Sequence, residues 1–280
     1  MSERLAVLGS PIAHSKSPDL HLAAYGALGL DWTYERIEVT ADQLADFLND
    51  QGSEFRGFSA TMPLKQELLR LATETDLVAR TTGAANTAFG MREGQLRVTN
   101  TDVAGIVNAF RHAGVDSIRD AAVLGSGATA ASAVAALADL GAESVSIRVR
   151  DPHRAHGLEQ LANSLGMRVA VNELSAERDQ AGWPAPDALI STLPARAVDQ
   201  WASRYAPLAP VLLDVAYEPW PSALASAASG ATVISGLEML LQQALIQVRI
   251  FVAEDPFAPL AGESAVLQAM RSALPALCQD

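Results

Sequence analysis

The sequence predicts an α/β protein of two domains. The second is a doubly wound parallel sheet, and the C-terminal helices return to the first domain. Three observations predict this. At 280 residues the chain is too long for one small core and about right for two domains of ordinary size. Short apolar runs alternate with longer, Ala-rich amphipathic runs along nearly the whole chain. Beyond residue 120 the short runs are continuously apolar, as parallel strands covered on both faces are. The expected division is 1–101 plus 237–280 for one domain and 102–236 for the other.

The elements follow in order. Leu5–Leu8, ending at Gly9, is the first strand. Ser17-Pro18-Asp19 places an N-cap, an early proline and an acid at the start of a helix running to about Leu28. Tyr34–Val39 alternates like a strand. Thr40 to Gln43 has capping-box spacing and opens a helix to about Leu48. Phe55–Thr61 reads as a strand, Pro63–Leu71 as a helix, and Thr87–Met91 with Gln95–Val98 as a hairpin. Helix Val103–Ala113 leads into the second series: strand Ala121–Leu124, helix Ala128–Leu140, strand Ser144–Val149, helix Arg154–Leu165, then strands Arg168–Val171, Ala188–Ser191 and Val211–Val215. Helices Leu237–Val252 and Glu263–Leu277 close the chain.

Composition narrows the function. The apolar fraction of 49% and charged fraction of 19% exclude global disorder. Thirty-two acids against 20 bases give a net charge of −12, which opposes binding to a phosphate backbone. An anionic small molecule remains compatible, because local charge can oppose the net value. Cys278 is the one cysteine, so neither an intramolecular disulfide nor a cysteine metal cluster can form. Leu5–Leu8 is too short for a signal-peptide core, and no stretch approaches the roughly 18 to 20 apolar residues of a membrane span. A cytoplasmic protein is therefore expected, without nucleic-acid or membrane partners, as a monomer or homodimer. His14, His21, His112, His153 and His156 have no metal-ligand spacing, and no metal is expected. Neither a nucleophile elbow nor a P-loop occurs.

Gly125-Ser126-Gly127-Ala128-Thr129-Ala130 fits G-x-G-x-x-A between a strand and a helix. The first glycine serves a tight turn, the second lets the backbone approach a pyrophosphate, and the small third residue lets helix and strand pack. A helix N-terminus then faces the anion. The segment reads as a Rossmann-type dinucleotide loop, or as a glycine-rich turn with no ligand. The next strand ends in Arg150-Asp151-Pro152-His153-Arg154. Arg150 and Arg154 suit the 2′-phosphate of NADP, whereas Asp151 suits the ribose hydroxyl of NAD.

Polar residues in the other domain admit two readings each. Ser15 and Ser17 are an N-cap and its neighbour, or two hydroxyls beside a helix N-terminus that suit a carboxylate. Lys65 is a solvated lysine, or a lysine with work to do at a helix start where the dipole disfavours it. Asp102 is explained by an N-cap, Asn86 by a turn and Gln243 by a helix surface.

Taken together, six ordered segments resemble the shikimate dehydrogenase family nearly end to end: Ser10 to Pro18, Gly57 to Lys65, Gly83 to Thr87, Asn100 to Asp102, Asp214 to Tyr217 and Gly236 to Gln243. Tyr217-Glu-Pro-Trp-Pro and the Ser-Gly-Leu before the last segment look most like the actinobacterial branch. The resemblance implies reversible NADPH-dependent reduction of 3-dehydroshikimate to shikimate, in chorismate and aromatic amino-acid biosynthesis. It implies Lys65 and Asp102 as the catalytic pair. Ser15, Ser17 and Tyr217 would serve the substrate carboxylate, and Thr61, Asn86 and Gln243 the ring hydroxyls. Gly125, Ser126, Gly127, Ala128 and Thr129 would hold the pyrophosphate and Arg150 and Arg154 the 2′-phosphate, with Asp151 and Gly236 also counted among the cofactor contacts. Ser59-Ala60 replaces the family's usual Asn-Val, a difference assigned to packing. Two other functions fit the same segments: an NAD-preferring quinate/shikimate or aminoshikimate dehydrogenase, and a non-catalytic nucleotide sensor, which has no need of both Lys65 and Asp102.

Overall fold

The computed structural model describes residues 2–175, 184–274 and 277; Cys278 lies outside them, and the last helix ends at Ser272, short of the expected Leu277. The chain forms two compact units, Met1–Gly105 with Leu240–Asp280, and Ile106–Met239. In chain order the elements are β1 (Arg4–Gly9), α1 (Ser17–Ala27), β2 (Thr33–Glu38), α2 (Leu44–Gln51), β3 (Gly57–Ala60), α3 (Lys65–Leu71), β4 (Glu74–Thr75), α4 (Leu77–Thr82), β5 (Thr87–Phe89), β6 (Arg97–Thr99) and α5 (Asp102–His112). They continue with β7 (Asp120–Leu124), α6 (Ala128–Asp139), β8 (Ser144–Val149), α7 (His156–Ser164), β9 (Arg168–Glu173), β10 (Ala188–Ser191), α8 (Ala202–Tyr205), β11 (Val211–Asp214), α9 (Ala223–Ala227), β12 (Thr232–Ser235), α10 (Gly236–Ala253) and α11 (Glu263–Ser272). The unit boundaries fall within α5 and α10.

The first unit holds a mixed sheet in the order β2-β1-β3-β5-β6-β4. Strands β1, β2 and β3 are parallel, and β5 is antiparallel to both of its neighbours. Leu8, Phe55, Phe58, Leu64, Leu68 and Val98 form the core of this sheet with α2 and α3, while α11 packs on α1.

At three helix starts the capping differs from expectation. Lys16, not Ser17, is the N-cap of α1, and no side chain caps it; Ser17 is already helical. At α2 only half the capping box forms. The Gln43 Oε1 accepts from the Thr40 N–H at 3.1 Å, but the Thr40 hydroxyl donates to Asp42 Oδ1 at 2.5 Å, and the helix begins at Leu44. Asp102 is the first residue of α5, and its N–H donates to Asn100 Oδ1 at 3.0 Å. Asn100 therefore performs the capping that was expected of Asp102.

The second unit holds six parallel strands in the order β12-β11-β10-β7-β8-β9. Counted from β7 as one, this is 3-2-1-4-5-6 read from the β9 edge, the doubly wound order of a Rossmann domain. Strand β12 was not foreseen; it completes the sheet beside β11. Helix α10 also departs from expectation. Its 18 residues have a mean hydropathy of 1.2, long and apolar enough to cross a bilayer. However, 78% of that window is buried inside the protein, so the apolarity serves a core helix.

Candidate functional site

The register of the first sheet gathers most of the candidates at one end. Leu8 pairs with Ala60, Ser59 with Thr87, and Thr87 with Thr99. The loops after β1, β3 and β6 and the residue before β5 thus share one end of the sheet. They carry Ser15 and Ser17, Thr61 and Lys65, Asn100 to Asp102, and Asn86.

Lys65 Nζ donates to Asp102 Oδ2 in a close ion pair; the side chains are 14% and 5% exposed. A carboxylate so buried needs full pairing, because water no longer supplies it. Its second oxygen accepts from Asn86 Nδ2 at 2.7 Å. Asn86 is itself locked in place. Its N–H donates to the Thr99 carbonyl at 3.0 Å, and its carbonyl accepts from the Ala60 N–H at 2.8 Å. The side-chain oxygen accepts from the Thr101 N–H at 2.9 Å, which leaves the amide nitrogen facing Asp102. Gln243 Oε1 lies 3.3 Å from Asn86 Nδ2 and 3.2 Å from the Thr101 hydroxyl, while Gln243 Nε2 donates to the Leu240 carbonyl. Asn86 and Gln243 are both buried, so neither the turn nor the helix-surface explanation applies.

Ser15 and Ser17 meet at the start of α1, where the Ser17 N–H donates to Ser15 Oγ at 3.3 Å. Arg36 holds this loop by donating from Nε and Nη2 to the Ser15 carbonyl at 2.8 and 2.6 Å. Its guanidinium also pairs with Asp19 at 3.8 Å. Thr61 is half-buried, and its carbonyl accepts from the Leu64 N–H in the turn that precedes Lys65. Tyr217 belongs to the second unit, half-buried in the segment after β11.

The glycine loop lies at the switch point of the second sheet, where β7 has β8 on one side and β10 on the other. Gly125 has φ +114, and a Cβ there would lie 2.5 Å from Thr192 Oγ1. Only glycine meets both conditions. Thr192 is fixed by donating its hydroxyl to the Leu124 carbonyl at 2.8 Å. Gly127 is the N-cap of α6 without any side-chain cap, and a Cβ there would meet nothing within 4 Å. Ser126, Ala128 and Thr129 complete the turn, each partly exposed, and Ala130 is fully buried. Unused helix N–H groups beside open space fit a pyrophosphate. At the end of β8, Arg150, Asp151 and Arg154 are all exposed. Asp151 Oδ1 accepts from the His153 N–H at 3.0 Å and caps a short 3-10 helix. Gly236 has a packing reason of its own: a Cβ there would lie 2.0 Å from the Val215 carbonyl oxygen.

Sequence reasoning missed several members of the first cluster: Thr87, Thr101, Ser59, Gln247 and His21. A signal existed for one of them. Gln243 and Gln247 stand four residues apart on one face of a mostly apolar helix.

Comparison with known proteins identifies the relatives of this chain. A family model described as the shikimate dehydrogenase substrate binding domain matches residues 7–88. A Rubrobacter xylanophilus protein named shikimate dehydrogenase (NADP(+)) is 36% identical over 261 residues, covering 90% of this chain and 91% of that one. The chain belongs to the shikimate dehydrogenase family. Its fold agrees with the crystal structure of the shikimate dehydrogenase of Mycobacterium tuberculosis at a TM-score of 0.84, with 40% identity over 96% of this chain and 99% of that one. The Thermus thermophilus enzyme, crystallised in complex with NADP(H) and shikimate, matches at a TM-score of 0.78 and 30% identity, covering 97% of this chain and all of that one. Within the family, this chain's Ser59 needs a different account from packing alone, because its hydroxyl accepts from Tyr34 at 2.5 Å and donates to Gln247 at 2.7 Å.

Proposed function

We propose that this protein catalyses the reversible reduction of the 3-keto group of 3-dehydroshikimate to shikimate, with Lys65 and Asp102 as its catalytic pair. The observation that carries the residue assignment is the Lys65–Asp102–Asn86 cluster at one end of the sheet. NADPH supplies the hydride when bound. The chain's own residues bind, orient and deliver the proton. Reduction of a ketone places negative charge on its oxygen, and an ammonium suits both the stabilisation of that charge and the proton transfer. Lys65 has three N–H donors, and Asp102 takes one of them; the others remain for the substrate oxygen. Asp102 holds the ammonium in place and balances its charge.

Asn86 and Gln243 offer both donors and acceptors, which ring hydroxyls require. A site built around hydroxyls rejects analogues that lack them. Ser15 and Ser17, with the start of α1, suit the carboxylate, and we assign Thr61 to a ring hydroxyl and Tyr217 to the carboxylate. The glycine loop holds the pyrophosphate and Arg150 with Arg154 the 2′-phosphate.

The test is the initial rate of shikimate oxidation with NADP and NAD in parallel, repeated with quinate and with Lys65→Ala. Preference for NADP and shikimate is expected, with kcat in Lys65→Ala lower by about 10²–10⁴-fold and KM little changed. A faster rate with quinate and NAD would instead favour a catabolic role, and near-normal turnover in Lys65→Ala would remove Lys65 from the mechanism. Cofactor binding without turnover of any substrate would make the protein a sensor.

A further inference from the structure

Behind Asn86 lies a second layer of polar groups that the proposed reaction does not use. Its centre is His21, which has no solvent exposure. The ring stacks on Tyr34 with centroids 4.0 Å apart and planes 10° apart. Nδ1 lies 3.2 Å from the Tyr25 hydroxyl, and Nε2 lies 3.2 Å from Gln247 Oε1.

The direction of every hydrogen bond here can be deduced. Gln247 Nε2 lies 3.3 Å from the Asn86 carbonyl oxygen and 3.0 Å from Thr87 Oγ1. A carbonyl only accepts, so the amide nitrogen of Gln247 faces it and Oε1 faces His21. Oε1 also only accepts. His21 must therefore carry its proton on Nε2, and Nδ1 must accept from Tyr25. On the other side, the Thr87 hydroxyl accepts from Gln247 and donates to Asn86 Oδ1 at 2.8 Å. Asn86 Nδ2 donates to Asp102. All donors from Tyr25 to Asp102 point one way, and the Tyr34–Ser59 pair feeds the same Gln247 oxygen.

We propose that His21 and Gln247 are positioning residues for the substrate site: the neutral Nε2–H imidazole holds the Gln247 amide, which through Thr87 holds the Asn86 amide with its nitrogen toward Asp102 and the ring hydroxyls. This rests on the reading of Asn86 and Asp102 given above. Burial without a charged partner keeps the imidazole neutral, with its pKa pulled down to about 3. Polar networks of this kind hold one arrangement when every member is satisfied.

The experiment compares steady-state kinetics of His21→Leu, His21→Gln, Thr87→Val and Asn86→Ala in the full chain. Leucine removes the donor to Gln247, whereas a glutamine can present Nε2–H near the place of the imidazole Nε2–H. Valine cuts the relay one step from Asn86 with little change in size. In His21→Leu and Thr87→Val, kcat/KM for shikimate should fall by about tenfold, the worth of one net hydrogen bond. KM for NADP should stay unchanged, and His21→Gln should restore most of the loss. Unchanged kcat/KM for shikimate in both His21→Leu and Thr87→Val would overturn the proposal. So would equal losses in His21→Leu and His21→Gln, or a parallel rise in KM for NADP. Asn86→Ala separates the two levels of argument. If that variant retains full kcat/KM, the assignment of Asn86 to the substrate is what fails.

Discussion

Acid stability offers a direct measurement of the buried imidazole. His21 is fully buried among Tyr25, Tyr34, Phe251 and Gln247, none of which is negatively charged. Its pKa is pulled down to about 3 by burial, against which the Gln247 hydrogen bond works only in part. In the unfolded chain the ring titrates near 6.5. Below that pH the unfolded state takes up a proton that the native state refuses. Stability is therefore fully present above about 6.5, is lost as pH falls toward 3, and loses no more below that. Between pH 7 and pH 5 the two pKa values imply a loss of about 2 kcal/mol from this group alone. The perturbation is His21→Gln, which keeps a donor toward Gln247 and cannot titrate. The assay is urea denaturation followed by circular dichroism at both pH values, in wild type and variant. The wild type should lose about 2 kcal/mol more than the variant over that interval. Equal losses would mean that His21 is protonated in the native protein or hydrated in it.

Other predictions concern both units. Gly125→Ala forces a methyl toward Thr192 Oγ1 and a side chain into positive φ, at a cost of about 1–2 kcal/mol for the backbone alone. It should lower the melting temperature and weaken NADP binding by titration calorimetry. Burial raises the Asp214 carboxyl above its ordinary value, although Ser222 and the Ala216 N–H oppose the shift. A carbon-13 titration of Asp214 should therefore have its midpoint above 3.8, and stability should fall as pH rises through the interval between the two values. Asp151→Asn should increase the preference for NADP over NAD, read as the ratio of kcat/KM values, and that preference should shrink at high salt.

Much of this was legible in the residues. Strand Ala121–Leu124 followed by Gly125 and an Ala-rich helix could be nothing but a β-α turn, because the apolar run, the glycine and the helix formers agree. Helix α4 was equally readable and was overlooked. Asp76 accepts from the Ala79 N–H at 2.8 Å, and Gly83 ends the helix with φ +65, the cap at each end that short helices favour. Strand β12 was harder to see. Thr232-Val-Ile-Ser235 is four residues long, and only its partner β11 makes it a strand. The site divides in the same way. Lys65, Asp102, Asn86 and Gln243 were visible as segments, yet on residue type alone each had an ordinary explanation. What removes those explanations is register. Thr87 opposes both Ser59 and Thr99, which brings residues 59, 87 and 99 together across three strands. His21 and Gln247, 226 positions apart, carry no local signal of their meeting.

The end of β8 is where residue types pulled in opposite directions, and the structure gives them different work. The carboxylate of Asp151 is engaged by the His153 N–H, and its backbone, at φ −130 and ψ 108, is still extended where the short helix begins. It is an N-cap first, as aspartate is at many helix starts. Arg150 and Arg154 lie on either side of that cap, both exposed. The capped carboxylate still opposes a phosphate, but two guanidiniums outnumber it. The local balance is positive in a chain whose net charge is −12. Exposed charges of this kind are worth little each and are screened over roughly 10 Å at 0.1 M salt. On the proposed assignment, the preference for a 2′-phosphate therefore rests on a local difference of one charge, while the pyrophosphate rests on backbone N–H groups that screening barely touches. That assignment makes affinity for the dinucleotide and choice between its two forms separable properties, set by different residues of one β-α-β unit.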